Sequence, residues 1–402
     1  MRQYVPGTRL YARDRNFVKP GHPAVSRLSP LIRHRLMLES EVAEAAIAAH
    51  GFGRVEKFVQ EVYWRRYWKA WLSMRPQVWR EAAGFPPPSP DTAVGVRALR
   101  VMAGDSSNRL IDRFTRELIE TGYLHNHVRM WFAAWWIHQA GLPWQWGAAF
   151  FMSHLLDGDP ASNTLSWRWV AGLQTPGKTY LARRSNLEKY MAAEVLADAG
   201  DALADFENPH PRLPGDVSRA EITAPSLPDA GRLEPLPTGL WVHEEDLLPE
   251  CSPIADVDVR GILVSGHSEG WRRHAYSDHR IAWLEGALAD CACRAASHWR
   301  VATHHVVPAN LARALVDWAK RDGLRQIIAM RPDPGPLDDD LTGIRHILES
   351  SGVRLVLIDR PEDLALRPLA KRGFFDFWKK LAPRIREQSE PALFGVASCF
   401  SK

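Results

Sequence analysis

The residues best placed to do chemistry lie between His125 and Trp169. His125-Asn126-His127-Val128-Arg129-Met130 is followed by Asp157-Gly158-Asp159 and then by Asn163. Taken alone, an Asp-Gly-Asp triplet reads as a turn or a weak cation site. Upstream, Ser26-Arg27-Leu28-Ser29-Pro30 sets hydroxyls, a guanidinium and backbone N–H groups at a helix start. Such a set suits a phosphate or pyrophosphate, although by itself it is also an ordinary helix cap. Glu61 and Arg65 are spaced for an ion pair one turn apart on a solvated helix face. The chain holds 17 tryptophans. Their number fits a large aromatic core; a stacking surface or an electron-transfer chain would need a particular arrangement as well.

These groups must be held by helices. From about 30 to 204 the apolar residues follow helical periodicity, with helices expected over 40–50, 55–74, 108–120 and 127–140. Pro86–Pro90 marks a loop. Residues 1–25 are polar, aromatic and dotted with proline, and read as extended. Between 205 and 238, Pro209, Pro211, Pro214, Pro225, Pro228, Pro235 and Pro237 mark a linker or a wrapping segment. Short apolar runs at 239–242, 261–265, 326–329 and 353–358 then alternate with helices at 280–299, 311–321 and 341–350. That alternation implies a parallel sheet with crossovers. The expected organisation is multidomain α and α/β: a helical domain at 1–204, a proline-rich linker at 205–238, an α/β domain at 239–370, and an aromatic, basic helix and tail at 371–402. No GxGxxG follows the first strand and no P-loop lysine is present.

Bulk properties set outer limits. A chain of 402 residues suggests two domains. The apolar share of 46% and charged share of 24% are those of a folded protein. A net charge of +4 permits an anionic partner without requiring one. Cys251, Cys291, Cys293 and Cys399 form no CxxC pair, so neither a disulfide framework nor a metal site is expected. With no apolar leader and no run long enough to span a bilayer, the expectation is a cytoplasmic protein without a membrane partner.

The helical half resembles the flavin-binding domain of DNA photolyases and cryptochromes. Tyr11 and Ser26–Pro30 resemble the family's tyrosine and (T/G)SRLSP-type segment, which wraps the FAD phosphates. The resemblance implies FAD contacts at Tyr11, Ser26, Arg27, Leu28 and Ser29; Val25 stands where the family usually has threonine. Glu61-Val62-Tyr63-Trp64-Arg65-Arg66-Tyr67-Trp68 is similar to the segment lining the family's substrate cavity. There Glu61 would bind a lesion base and Trp64 would pack against the flipped dimer. Arg65, Arg66 and Trp68 would face DNA, with Arg66 replacing a typical glutamate.

Thr121–Met130 resembles TGWMHNRLRM, Phe151–Asp159 resembles FMSQLIDGD, and Asn163 with Trp167-Arg168-Trp169 resembles the NGGWQW region. By that resemblance Arg129 and Asp157 pair beside the flavin ring. Gly158 and Asp159 lie near its pyrimidine edge and ribityl chain, and Asn163 faces N5. Trp167 and Trp144 take the proximal and middle places of an electron-transfer chain. The outer place has no evident counterpart, leaving Trp79, Trp135 and Trp136 as substitutes, of which Trp135 and Trp136 read better as core. Asn126 and Met130 match the pattern for cyclobutane dimers, while His127 and Trp169 join the DNA-contact set.

The C-terminal half is similar to the family's α/β antenna domain, notably at Leu315–Pro361 and at Phe374–Leu381. It follows the helical domain instead of preceding it, as in a circular permutation. The implied activity is light-driven splitting of cyclobutane pyrimidine dimers in damaged DNA by a monomer carrying FAD in its reduced form, with room for an antenna chromophore of unidentified kind. The alternative is a cryptochrome-like blue-light sensor that binds FAD without repair, to which Thr164-Leu165-Ser166, in place of the usual N-G-G, gives weight.

Overall fold

The computed structural model describes residues 3–175, 178–213, 220–223 and 232–389. Pro214, Pro225 and Pro228 of the expected linker, together with Cys399 and the 390–402 tail, lie outside the described residues. The contacts divide the chain into two units. A helical unit comprises Met1–Leu28, Arg75–Glu221 and Tyr276–Arg280, and an α/β unit comprises Ser29–Met74, Ile222–Ala275 and Ile281–Lys402. This departs from the linear division read from the sequence, chiefly because Ser29–Met74 groups with the sheet.

The helical unit is built around an aromatic core containing Trp131, Phe132, Trp136, Phe151 and Phe206. Its helices are stopped and started by recognisable signals. Asn108 begins the Arg109–Thr121 helix by accepting from the N–H groups of Leu110 (3.1 Å) and Ile111 (3.2 Å). Leu110, Ile111, Phe114 and Leu118 then line its buried face, and Gly122 ends it at φ 63°, in the left-handed region. The Asn126–Ala134 helix widens into a π-helical turn at Trp135–Gln139. Residues 1–25, read as extended, contain a 3-10 helix at Val5–Leu10 and a helical turn at Tyr11–Asp14. Pro6 favours the first turn, and the Thr8 hydroxyl donates to Val5 O at 2.7 Å. In the 205–238 stretch, Arg212 is tied to His138, its N–H donating to Nδ1 (3.1 Å) and its Nε–H to the carbonyl (3.0 Å).

The α/β unit carries five parallel strands: β1 Thr238–His243, β2 Gly261–Ser265, β3 Ala302–Val306, β4 Gln326–Met330 and β5 Arg354–Ile358. Their spatial order is β3-β2-β1-β4-β5. Leu240 aligns with Ile262 on one side and Ile328 on the other. β1, β2 and β4 are buried along their whole length, as continuous apolar runs in a parallel sheet must be. β3 was not legible in the sequence. It is a partly exposed edge strand reading Ala-Thr-His-His-Val, without an apolar run. Gly239 is required on β1, because a Cβ there would sit 2.5 Å from Leu324 and 2.6 Å from the Trp318 ring. The Glu39–His50 and Phe52–Ser73 helices belong to this unit, and so does the C-terminal helix Phe374–Ser389.

Candidate functional site

Within the helical unit, the loop Leu155–Asp159 joins two helices, Trp144–His154 and Pro160–Val170. Asp159 caps the second of these by accepting from Ser162 N at 2.7 Å, and Pro160 occupies its first turn. Arg129 reaches across from the Asn126–Ala134 helix. Its Nη2 lies 3.0 Å from Asp157 Oδ1 and donates to Oδ2 at 3.2 Å, while its Nε–H donates to Leu124 O at 2.9 Å. The buried Asp157 carboxylate and the guanidinium are thus held in one orientation. Asn163 is fixed by its own amide, which donates to Ala148 O at 2.8 Å.

Near this pair stands Tyr123, with the guanidiniums of Arg27 (5.3 Å) and Arg129 (5.7 Å) over its ring. Burial pushes the Tyr123 hydroxyl up to about 12, against the pull of Arg129 and Arg27. Arg27 takes a left-handed backbone conformation at φ 53°. Ser26 Oγ accepts from Leu28 N at 3.4 Å, Leu28 is buried and Tyr11 is half-buried. Tyr123 was absent from the sequence-derived site, although it lies inside the Thr121–Met130 motif.

His125 caps the Asn126–Ala134 helix, its Nδ1 accepting from His127 N at 3.2 Å. Burial, helped by His22, His127 and Arg129, lowers the His125 imidazole to about 3. Burial with Arg15 lowers His127 to about 4. The His127 ring packs against Tyr190 (5.2 Å) and Trp131 (5.5 Å), which favours the neutral form. Asn126 is exposed, and its amide approaches Met130 Sδ at 3.7 Å.

The tryptophans separate into distinct environments. Trp167 is 2% exposed and meets Phe151 edge-on at 5.1 Å and Trp136 at 6.2 Å. A Cβ at Gly147 would collide with its ring. Arg168 lies over Trp144 at 5.9 Å, and Trp169 stacks on Tyr180 at 5.6 Å. Trp79, Trp135 and Trp136 are all buried.

Ser29, Glu61, Trp64, Arg65, Arg66 and Trp68 belong to the α/β unit. Two of the expected DNA contacts need correction there. Arg66 is 4% exposed and pairs with Glu39 (3.0 Å) and Asp363 (2.7 Å). It lies on the face of the Phe52–Ser73 helix that also buries Val55, Val59 and Val62, so its charge is consumed inside the unit and adds nothing to a DNA-facing surface. Trp64 stacks flat on Phe374, with centroids 3.8 Å apart and planes 9° from parallel. One face of the ring expected to receive a dimer is therefore occupied by the chain itself. Glu61 pairs with Lys57 at 2.9 Å, while Arg65 and Trp68 are half-buried. Among the described residues, no cluster of three His, Cys, Asp or Glu side chains could hold a metal ion, and no helix is long and apolar enough to cross a membrane.

Residues 58–192, which carry most of this geometry, match the family model described as the FAD binding domain of DNA photolyase. That stretch of the chain is similar to the flavin-binding domain of the photolyase/cryptochrome superfamily. A deoxyribodipyrimidine photo-lyase from Streptomyces griseus is 32% identical over 153 residues, 38% of this chain and 33% of that protein. One from Synechococcus is 29% identical over 230 residues, 53% of this chain and 45% of the relative. A cryptochrome DASH from Natronomonas pharaonis is 33% identical over 120 residues, 29% of this chain and 25% of the relative. Among solved structures, a class III photolyase from Agrobacterium tumefaciens is similar at 26% identity with a TM-score of 0.39, covering 51% of this chain and 42% of that one. The chain thus spans less than half the length of these photolyase and cryptochrome relatives.

Proposed function

We propose that this chain is a member of the photolyase/cryptochrome superfamily, that it binds FAD through the helical unit, and that it repairs cyclobutane pyrimidine dimers in DNA. The observation carrying the reading is the pair of half-buried Arg129 and buried Asp157 beside the capped start of the Pro160–Val170 helix, inside the stretch that matches the photolyase FAD domain. The residues fit a flavin. The Ser162 hydroxyl, one residue from Asn163, is buried and makes no hydrogen bond to the described residues. Buried polar groups rarely stay unsatisfied, so a polar ligand edge suits this position. Asp157, Gly158, Asp159, Asn163 and Arg129 would hold the flavin ring, and Tyr11 and Ser26–Leu28 the phosphates.

Bound and reduced, FAD would supply a light-excitable one-electron donor. The protein supplies the rest. Arg129 offsets negative charge without leaving its carboxylate, and neutral Asn163 tolerates an electron-rich neighbour. Trp167 and Trp144 are the candidates for refilling the site with electrons. Asn126, Met130 and Trp169 of the helical unit would receive the extruded lesion, a step eased by the poor stacking of a damaged base. Arg65 and neighbouring cations would hold phosphates, so binding should weaken with salt.

Purified protein should be yellow with a flavin spectrum. Illuminated under reducing conditions with dimer-containing DNA, it should consume the dimers. A chain that takes up no FAD sinks the reading.

A second reading, a blue-light sensor, is favoured by one observation: Arg66 and Trp64 are engaged by Asp363 and Phe374. Bound FAD with no loss of dimers would leave that reading standing.

A further inference from the structure

We propose that Arg280, far outside the matched domain, is a positioning residue that holds the Asp157–Asp159 turn in shape for a bound flavin and polarises its Gly158–Asp159 peptide. The inference rests on the flavin reading above.

Arg280 lies 122 residues along the chain from Gly158, yet the Tyr276–Arg280 segment belongs to the helical unit. Its side chain is 1% exposed. One guanidinium nitrogen, Nη2, donates to Gly158 O at 2.9 Å, and the other, Nη1, donates to Met152 O. The guanidinium also lies 3.6 Å from the centre of the Tyr276 ring. The segment is pinned by its backbone, with Ser277 N donating to Ser153 O at 2.9 Å and Arg280 N donating to Ser277 Oγ at 3.3 Å.

Two consequences follow from this geometry. Met152 sits in the last turn of the Trp144–His154 helix, where carbonyls lack helical partners and a cation is favoured. Arg280 therefore ties that helix end to the middle of the turn with two charge-assisted hydrogen bonds. The second consequence is electronic. Gly158 C=O and Asp159 N–H are two ends of one peptide unit. A cation on the oxygen polarises the whole unit and makes the N–H a stronger donor. The Asp-Gly-Asp sequence acquires a further reason as well, because a Cβ at position 158 would collide with the guanidinium.

The test uses the full chain with Arg280→Gln and Arg280→Lys, reading fold by circular dichroism, FAD affinity by titration, and the visible flavin band and reduction potential of loaded protein. Arg280→Gln should weaken FAD binding about tenfold or more and move the flavin potential to more negative values. Arg280→Lys keeps the charge but cannot span both carbonyls, so it should recover part of each loss. Should Arg280→Gln fail to fold, Arg280→Lys carries the test by the same readouts. Lower thermal stability with unchanged FAD affinity, band and potential overturns the proposal and leaves Arg280 a purely structural residue. A wild-type chain that binds no FAD is a different result, and defeats the flavin reading itself.

Discussion

Arg66 and Asp363 form a 2.7 Å ion pair inside the α/β unit, joining the Phe52–Ser73 helix to the Pro361–Leu366 helix. Arg35 approaches the other oxygen of the same carboxylate at 2.6 Å. Asp363 is thus shared by two buried guanidiniums, and removing any one partner strands charge in a low-dielectric interior.

Arg66→Met should therefore cost about 3–5 kcal/mol of stability, the usual penalty for breaking a buried pair. Equilibrium denaturation monitored in the α/β unit measures it. An effect on DNA binding that exceeds this loss in folded protein would restore Arg66 to the DNA-contact set.

The same carboxylate predicts an acid limb. Burial raises the Asp363 carboxyl, but Arg35 and Arg66 more than offset this and hold it well below its ordinary value. An aspartate depressed in the folded state contributes stability above its unfolded pKa and loses it as pH falls through the folded value. The contribution is present above about pH 4 and declines in stronger acid. Denaturation midpoints measured from pH 5 downward should fall, and Asp363→Asn, already destabilised, should show a shallower fall.

The imidazoles of His125 and His127 act earlier on the pH scale. With folded values of about 3 and about 4, both lie below the ordinary 6.5. Between those values and 6.5 the unfolded chain binds more protons, so stability is full above 6.5 and falls as pH drops. The midpoint of the helical unit should be lower at pH 5 than at pH 7. His127→Gln should flatten that dependence, and an unchanged slope would contradict the burial argument.

Asn126→Ala tests lesion binding with little structural cost. The side chain is exposed, and substitution away from packed features usually changes stability by no more than about 0.5 kcal/mol. The repair reading expects weaker binding to dimer-containing DNA, or slower repair, with FAD content preserved. Equal affinity and equal repair by the variant would remove Asn126 from the site.

Arg65→Ala separates phosphate contact from scaffold. It should weaken binding across DNA sequences alike and lower the salt slope by about 1. An unchanged slope would mean that Arg65 does not meet DNA.

Local patterns made much of the architecture legible. Asn108, the apolar stripe Leu110–Leu118 and Gly122 declare one helix without any tertiary information. The family resemblance implies a pairing of Arg129 with Asp157, and the structure brings those two residues together. What escaped depends on partners remote in sequence. β3 is an edge strand whose polar alternation carries no apolar signal. Arg66 reads as a surface charge until Glu39 and Asp363 are placed around it. Arg280 has no local mark at all, because its role is set by carbonyls of Met152 and Gly158. The flat contact between Trp64 and Phe374 joins segments hundreds of residues apart, and periodicity on either helix could not foresee it.

The interleaving of the two units bears on how the chain is made. Each unit draws on three separate stretches, and the helical unit receives its last one, Tyr276–Arg280, only after much of the sheet has been encoded. On a ribosome adding roughly 5–20 residues per second, the early helices wait several seconds for that closing piece. During this interval their apolar faces are exposed to chaperones and to one another. A nascent chain halted near residue 204 would hold neither unit complete, so yield in the cell should depend on translation speed and chaperone supply as much as on the stability of the finished protein.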